Sequence, residues 1–207
     1  MALLSPAQAA DLCQFEGNAH GLRILTQLEY HPKEGGMRLT YATLGAYLKY
    51  PWLSLPLPGG IASHKRAKFG CYHTEKHLLA TTAEQLGLIA QGDYRWCRHP
   101  LAYLLEAADD ICYTLIDLED GLALNMLRYE EIEPLFLQLL DDLPPPPELK
   151  QDVSALQKIA ALRGKVIEKL VMAVTDAFAQ QQEALLSGQL VGSLLNHCSA
   201  QLSDGID

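Results

Sequence analysis

Apolar residues recur at helical spacing through most of this chain, and no stretch shows the apolar–polar alternation of a half-buried strand. Ser5-Pro6 with Gln8 predicts an N-cap, a first-turn proline and a capping-box partner for a short helix to about Gln14. Between Glu16 and Glu29, Leu22, Leu25 and Leu28 keep the helical spacing. The sequence HPKEGG then breaks the chain before a second helix from about Thr40 to Tyr50, stopped by Pro51. Thr74 is placed to cap a helix through Leu86, and His99-Pro100 opens a long helix that Gly121 ends or bends. Helical patterns follow over about Tyr129–Leu140 and Glu148–Leu186, separated by the run Pro144–Pro147. The fold class is all-α, a multi-helix bundle in one domain over residues 1–207, with a proline-rich corner near 143–147.

Composition narrows the function classes. With 207 residues, 49% hydrophobic and 20% charged, the chain can build one sizeable core. A net charge of −9 argues against a general affinity for nucleic acid or anionic membranes, and leaves room only for a local basic patch that binds phosphate. Single-stranded nucleic acid is compatible as a partner but is not indicated by the charge. The cysteines Cys13, Cys71, Cys97, Cys112 and Cys198 form no C-x-x-C pair, which favours a reducing, cytoplasmic setting over a disulfide framework or zinc finger. No apolar run approaches transmembrane length, and the Met1 end lacks the order of a signal peptide.

The stretch EAADDICYTLIDLEDG, residues 106–121, gathers the carboxylates Glu106, Asp109, Asp110, Asp117, Glu119 and Asp120. No Lys or Arg lies between Arg98 and Arg128. On a helix, Glu106, Asp109, Asp110, Tyr113, Asp117 and Asp120 fall within an arc of about 100°. Leu104, Leu105, Ala108, Ile111, Cys112, Leu115 and Leu118 cover most of the rest. Two readings stay open. One is a solvated polar face, although such faces normally interleave Lys or Arg, because like charges at i,i+4 repel. The other is a site for a divalent cation and a hydroxyl-rich ligand, since carboxylates are hard oxygen ligands for Mg²⁺ or Mn²⁺ and accept hydrogen bonds from sugars.

An anionic partner for that cation would need basic donors. Lys49-Tyr50 lies at a helix C-terminus, and Lys68 precedes the loop glycine Gly70. With Lys65 and Arg66 they are candidates to converge on a polyphosphate, while Lys65 and Arg66 also fit a merely solvated loop. Asn18 in FEGNAH offers an amide donor, or serves as a helix-start residue beside Gly17.

Four blocks carry a resemblance: FEGNAHGLRILTQLEY, MRLTYATLGAYLKYPW, KFGCYHTE and RHPLAYLLEAADDICYTLIDLEDG. In order and spacing they resemble the bacterial dGTP triphosphohydrolases of the HD-domain superfamily, and the similarity continues through LRGKVIEKL and FAQQQEALLSGQL. The resemblance implies an HD-domain-like helical bundle, here incomplete. It implies hydrolysis of a deoxynucleoside triphosphate, dGTP favoured, to deoxynucleoside and tripolyphosphate. The family's metal, Mg²⁺ or Mn²⁺, is held by a His…His-Asp…Asp set whose last member matches Asp109, with Asp110 as the fallback. Tyr113 matches the tyrosine that packs on the deoxyribose, and Asp117 the carboxylate that binds the 3′-hydroxyl. Asn18, Lys49, Tyr50 and Lys68 fall where the family contacts the triphosphate. A homo-oligomer, often hexameric, is implied as well.

The chain also departs from that pattern. It contains no His-Asp dipeptide: its histidines precede Gly21, Pro32, Lys65, Thr74, Leu78, Pro100 and Cys198. The segment with the metal histidines and the catalytic residues is expected before Met1, so no catalytic residue is assigned in this chain and the isolated chain is expected to be inactive. His20 stands where family members commonly carry Gln, and the region that completes the base site is not found before Asp207. A different class of reading follows, a catalytically inactive helical module for binding or oligomerisation. A di-metal carboxylate bundle would want Glu-x-x-His motifs, and a P-loop would want G-x-x-x-x-G-K-[ST]; neither occurs.

Overall fold

A computed structural model describes residues 4–29, 35–54, 68–141, 143–199 and 202. His64, Lys65 and Arg66, the rest of the predicted basic cluster, lie outside the described residues. The chain divides into two compact units, Met1–Leu105 with Leu186–Gly188, and Glu106–Leu185 with Gln189–Asp207. The division falls inside one continuous helix, and the proline run lies within the second unit.

In the first unit, α1 (Pro6–Cys13) starts as its sequence requires. Ser5 Oγ accepts from the Gln8 N–H at 3.3 Å, and Gln8 Oε1 accepts from the Ser5 N–H at 2.9 Å. The next helix, α2 (Gly17–Arg23), passes directly into a π-turn over Ile24–Leu28, and α3 (Tyr41–Tyr47) is capped by Thr40. Then α4 (Lys76–Leu86) ends on Gly87 at φ 62°, the left-handed cap that suits glycine. Leu22, Leu44, Leu48, Cys71 and Leu79 form the core here, joined by a smaller cluster of Ala19, Phe69 and Tyr72 with Trp52 against it.

Two details differ from expectation. A short hairpin exists, β1 (Ala90–Gly92) paired antiparallel with β2 (Arg95–Trp96), its turn helped by Tyr94 at φ 49°. Strands this short carry no readable alternation, so the helical class stands with one small β addition. Nor does Thr74 cap α4. A 3₁₀ turn at His73–Glu75 precedes that helix, and the Thr74 hydroxyl is spent on Glu75 and Arg23, both at 2.7 Å.

The long helix α5 (Pro100–Ala123) runs through Gly121 without ending. Gly121 instead lets the Leu127 side chain lie close, since a Cβ there would come 2.7 Å from Leu127 Cδ1 and that side chain would have to shift. In the second unit, α6 (Tyr129–Leu140) packs along α7 (Ala155–Gln180), and α8 (Gln182–Leu186) follows. Ile159, Leu162, Val166, Leu170, Val174 and Ala177 form one buried stripe of α7, spaced three or four residues apart. Pro147 opens the 3₁₀ turn Pro147–Lys150 that ends the predicted corner.

Candidate functional site

The candidate residues fall in both units, and each group is built by its own unit. On α5, Ala107, Ile111 and Leu115 are buried at 0%, 4% and 0% exposure. Asp109, Tyr113 and Asp117 stand two positions further on, about 200° around the helix from that buried row. Tyr113 is 65% exposed, Asp117 is exposed and Asp109 is half-buried. The helix thus anchors one side in the core and turns its carboxylate–phenol–carboxylate row outward on successive turns.

The structure alters the reading of this helix in two ways. The sequence offers no basic partner nearby, yet Arg163 of α7 pairs with Glu119. Glu119 is the carboxylate that lies outside the acidic arc, and its partner is 44 residues away in the chain. The apolar side is also not wholly buried. Ile116 is 40% exposed and Cys112 is exposed, and both run along the edge of the acidic row.

In the first unit, two residues that sequence reasoning missed gather three of the four phosphate-contact candidates. Glu16 is the first. Its Oε2 accepts from the backbone N–H groups of Asn18 at 2.7 Å and Ala19 at 3.3 Å, capping α2. Its Oε1 accepts from Asn18 Nδ2 at 3.0 Å and lies 3.7 Å from Lys68 Nζ. Trp52 is the second. Its Nε1–H donates to the Lys68 carbonyl at 2.7 Å, and its ring meets Tyr50 edge-on with centroids 5.5 Å apart. The Arg98 guanidinium sits 5.7 Å from the Tyr50 ring centroid, a cation–π contact. Lys49, the fourth candidate, is buried at 9% exposure beside the end of α3.

Glycine makes these approaches possible. A Cβ at Gly21 would overlap the Tyr47 hydroxyl, which donates to the Asn18 carbonyl at 3.3 Å. Burial, with the Glu16 carboxylate adding to it, raises the Tyr47 pKa above the usual phenol value. A Cβ at Gly70 would collide with the Tyr50 carbonyl, so only glycine lets the segment after Lys68 lie against Tyr50.

Among the described residues, no three His, Cys, Asp or Glu side chains form a group that could hold a metal ion. Among them too, no helix is long and apolar enough to cross a membrane.

Comparison with known proteins gives these residues a context. No protein-family model matches the chain. A Pseudomonas aeruginosa protein named deoxyguanosinetriphosphate triphosphohydrolase-like protein is 54% identical over 196 residues, 94% of this chain. The chain is homologous to the dGTP triphosphohydrolase-like proteins. A Synechocystis protein of the same name is 39% identical over 98% of the chain. An Enterobacter protein named deoxyguanosinetriphosphate triphosphohydrolase is 37% identical over 124 residues, 59% of this chain and 22% of its own length. The chain spans less than half of the first two relatives, 44% and 47% of their lengths.

Proposed function

We propose that this chain forms the nucleotide-holding part of a deoxynucleoside triphosphate triphosphohydrolase, with dGTP as the favoured substrate. The observation that carries this reading is the row Asp109, Tyr113, Asp117 on successive turns of α5, facing away from the buried row. The Tyr113 ring offers an apolar face to a deoxyribose. Asp117, about 6 Å further along the helix axis, accepts a hydrogen bond from the 3′-hydroxyl. Asn18, Lys49, Tyr50 and Lys68 take the triphosphate. The joining of Asn18 to Lys68 through Glu16, and of Lys68 to Tyr50 through Trp52, supports that assignment.

The proposed reaction is hydrolysis at the α-phosphorus, releasing the deoxynucleoside and tripolyphosphate. Magnesium or manganese is the proposed cofactor, with Asp109, or its neighbour Asp110, as one ligand. Such ions want about six oxygen ligands. The described residues supply no such set, so they do not fit a complete metal site and no step is assigned to a metal here. What this chain contributes is binding and orientation, holding the sugar with Tyr113 and Asp117 and the phosphates with the basic and amide donors. A cytoplasmic location, which rests on the cysteine pattern, and homo-oligomeric assembly, which rests on the resemblance, belong to the same proposal.

The test is equilibrium binding of dGTP and 2′,3′-dideoxy-GTP to the chain. Because the 3′-hydroxyl donates to a charged acceptor, dGTP is expected to bind roughly tenfold tighter. Asp117→Asn is expected to remove most of that preference. Equal binding of the two nucleotides by the unsubstituted chain would take Asp117 out of the sugar site.

A further inference from the structure

We propose that Glu16 is a competitor built into the anion site, whose carboxylate holds Asn18 Nδ2 and Lys68 Nζ until an entering phosphate displaces it from them. This deepens the triphosphate assignment above and rests on it. The two oxygens of Glu16 have different jobs. Oε2 is committed to the backbone N–H groups of Asn18 and Ala19 at 2.7 and 3.3 Å, which fixes the carboxylate in place. Oε1 faces the two side-chain donors a phosphate would use: it accepts from Asn18 Nδ2 at 3.0 Å and forms an ion pair with Lys68 Nζ at 3.7 Å.

Exposure decides which partner yields. The Glu16 side chain is 10% exposed and that of Lys68 is 62% exposed. An ion pair with one solvated member is weak, so a polyanion bringing several charges takes the ammonium from it. The carboxylate stays behind, because its other oxygen still caps α2. The polyanion must therefore break the Glu16–Lys68 pair in order to bind, and that loss weakens the complex. Glu16 thus offsets the charge of Lys68 in the empty site and holds down the affinity for the phosphate chain.

The experiment is calorimetric titration of the chain with inorganic tripolyphosphate, using Glu16→Gln, Lys68→Ala, Asn18→Ala and the double variant Glu16→Gln/Lys68→Ala. Glutamine keeps an oxygen for the Asn18 and Ala19 N–H groups but presents no charge to Lys68. Glu16→Gln is expected to tighten binding roughly threefold to tenfold. Lys68→Ala and Asn18→Ala are expected to weaken it. In the double variant the gain should vanish, because it is expressed through Lys68. Glu16→Asp, which retains a good capping side chain while drawing the charge back from Lys68, should tighten binding to a smaller degree and serves if the glutamine variant does not fold.

Unchanged or weaker binding by the Glu16 variants, with Lys68→Ala and Asn18→Ala still weakening it, overturns the competitor role and leaves the triphosphate assignment intact. A gain that persists in the double variant overturns it too, since a general charge effect would then suffice. Indifference of the affinity to both Lys68→Ala and Asn18→Ala overturns the assignment itself and this inference with it.

Discussion

His99 shows how one side chain ties a long helix to pH. Its Nδ1 accepts from the Leu101 N–H at 3.2 Å, at the start of α5, and that bond requires an unprotonated Nδ1. Burial lowers the His99 pKa below its ordinary 6.5. The folded state therefore prefers the neutral ring, and between the lowered value and 6.5 the unfolded chain binds more protons. Stability from this group is present above 6.5 and is lost as pH falls through the folded value. Melting temperature followed from about pH 7 to pH 5 should fall less steeply in His99→Asn, whose side chain caps without titrating there. An identical slope in the two proteins would exclude His99 as the titrating group. At this scale the sequence offers Asn18, Lys68, Tyr113 and Asp117 as candidates, through their chemistry and the family resemblance together. Glu16 and Trp52 are not among them, because each matters through a residue the fold brings to it, Lys68 in both cases.

Helix α7 depends on a start signal that the sequence reading passed over. Ser154 Oγ accepts from the Gln157 N–H at 3.3 Å, and Gln157 Oε1 accepts from the Ser154 N–H at 3.0 Å. This capping box precedes a helix whose buried stripe packs along α6. At the other end of α6, Lys169 Nζ donates to the Leu140 carbonyl at 2.9 Å, satisfying one of the acceptors a helix end leaves open. Ser154→Ala should cost about 1 kcal/mol in urea denaturation with little change in the denaturant slope. No loss of stability would mean that α7 is held by packing alone. The elements read best where periodicity and punctuation agree: α6 spans Tyr129–Leu140 as expected, and α1 begins at its predicted cap. They read worst where backbone geometry departs from the α-helix without a break in pattern. The leucine spacing of the sequence runs unbroken into the π-turn at Ile24–Leu28, where Thr26 is buried and Leu28 is 62% exposed, and the 3₁₀ turn at His73–Glu75 moves a helix start past Thr74.

Over the whole molecule the charge is unevenly divided. Met1–Leu105 with Leu186–Gly188 holds 10 Lys and Arg against 7 Asp and Glu, and the remainder holds 6 against 18. The overall −9 thus conceals one mildly basic unit and one strongly acidic unit. Self-repulsion should destabilise the acidic unit at low ionic strength. Raising salt from about 0.02 M to about 0.5 M should raise the melting temperature, because screening shortens the reach of like charges from tens of ångströms to a few. A melting temperature indifferent to salt would show that ion pairs such as Arg163–Glu119 already balance the repulsion. The sequence by itself determined the helical class, most helix positions and the carboxylate–phenol–carboxylate row, since these depend on spacings within a few turns of one helix. Only the tertiary structure decided which charges are paired, that Lys49 is buried, and that Glu16 joins Asn18 to Lys68. Those outcomes depend on segments tens of residues apart meeting in space, and local periodicity carries no information about which segments meet.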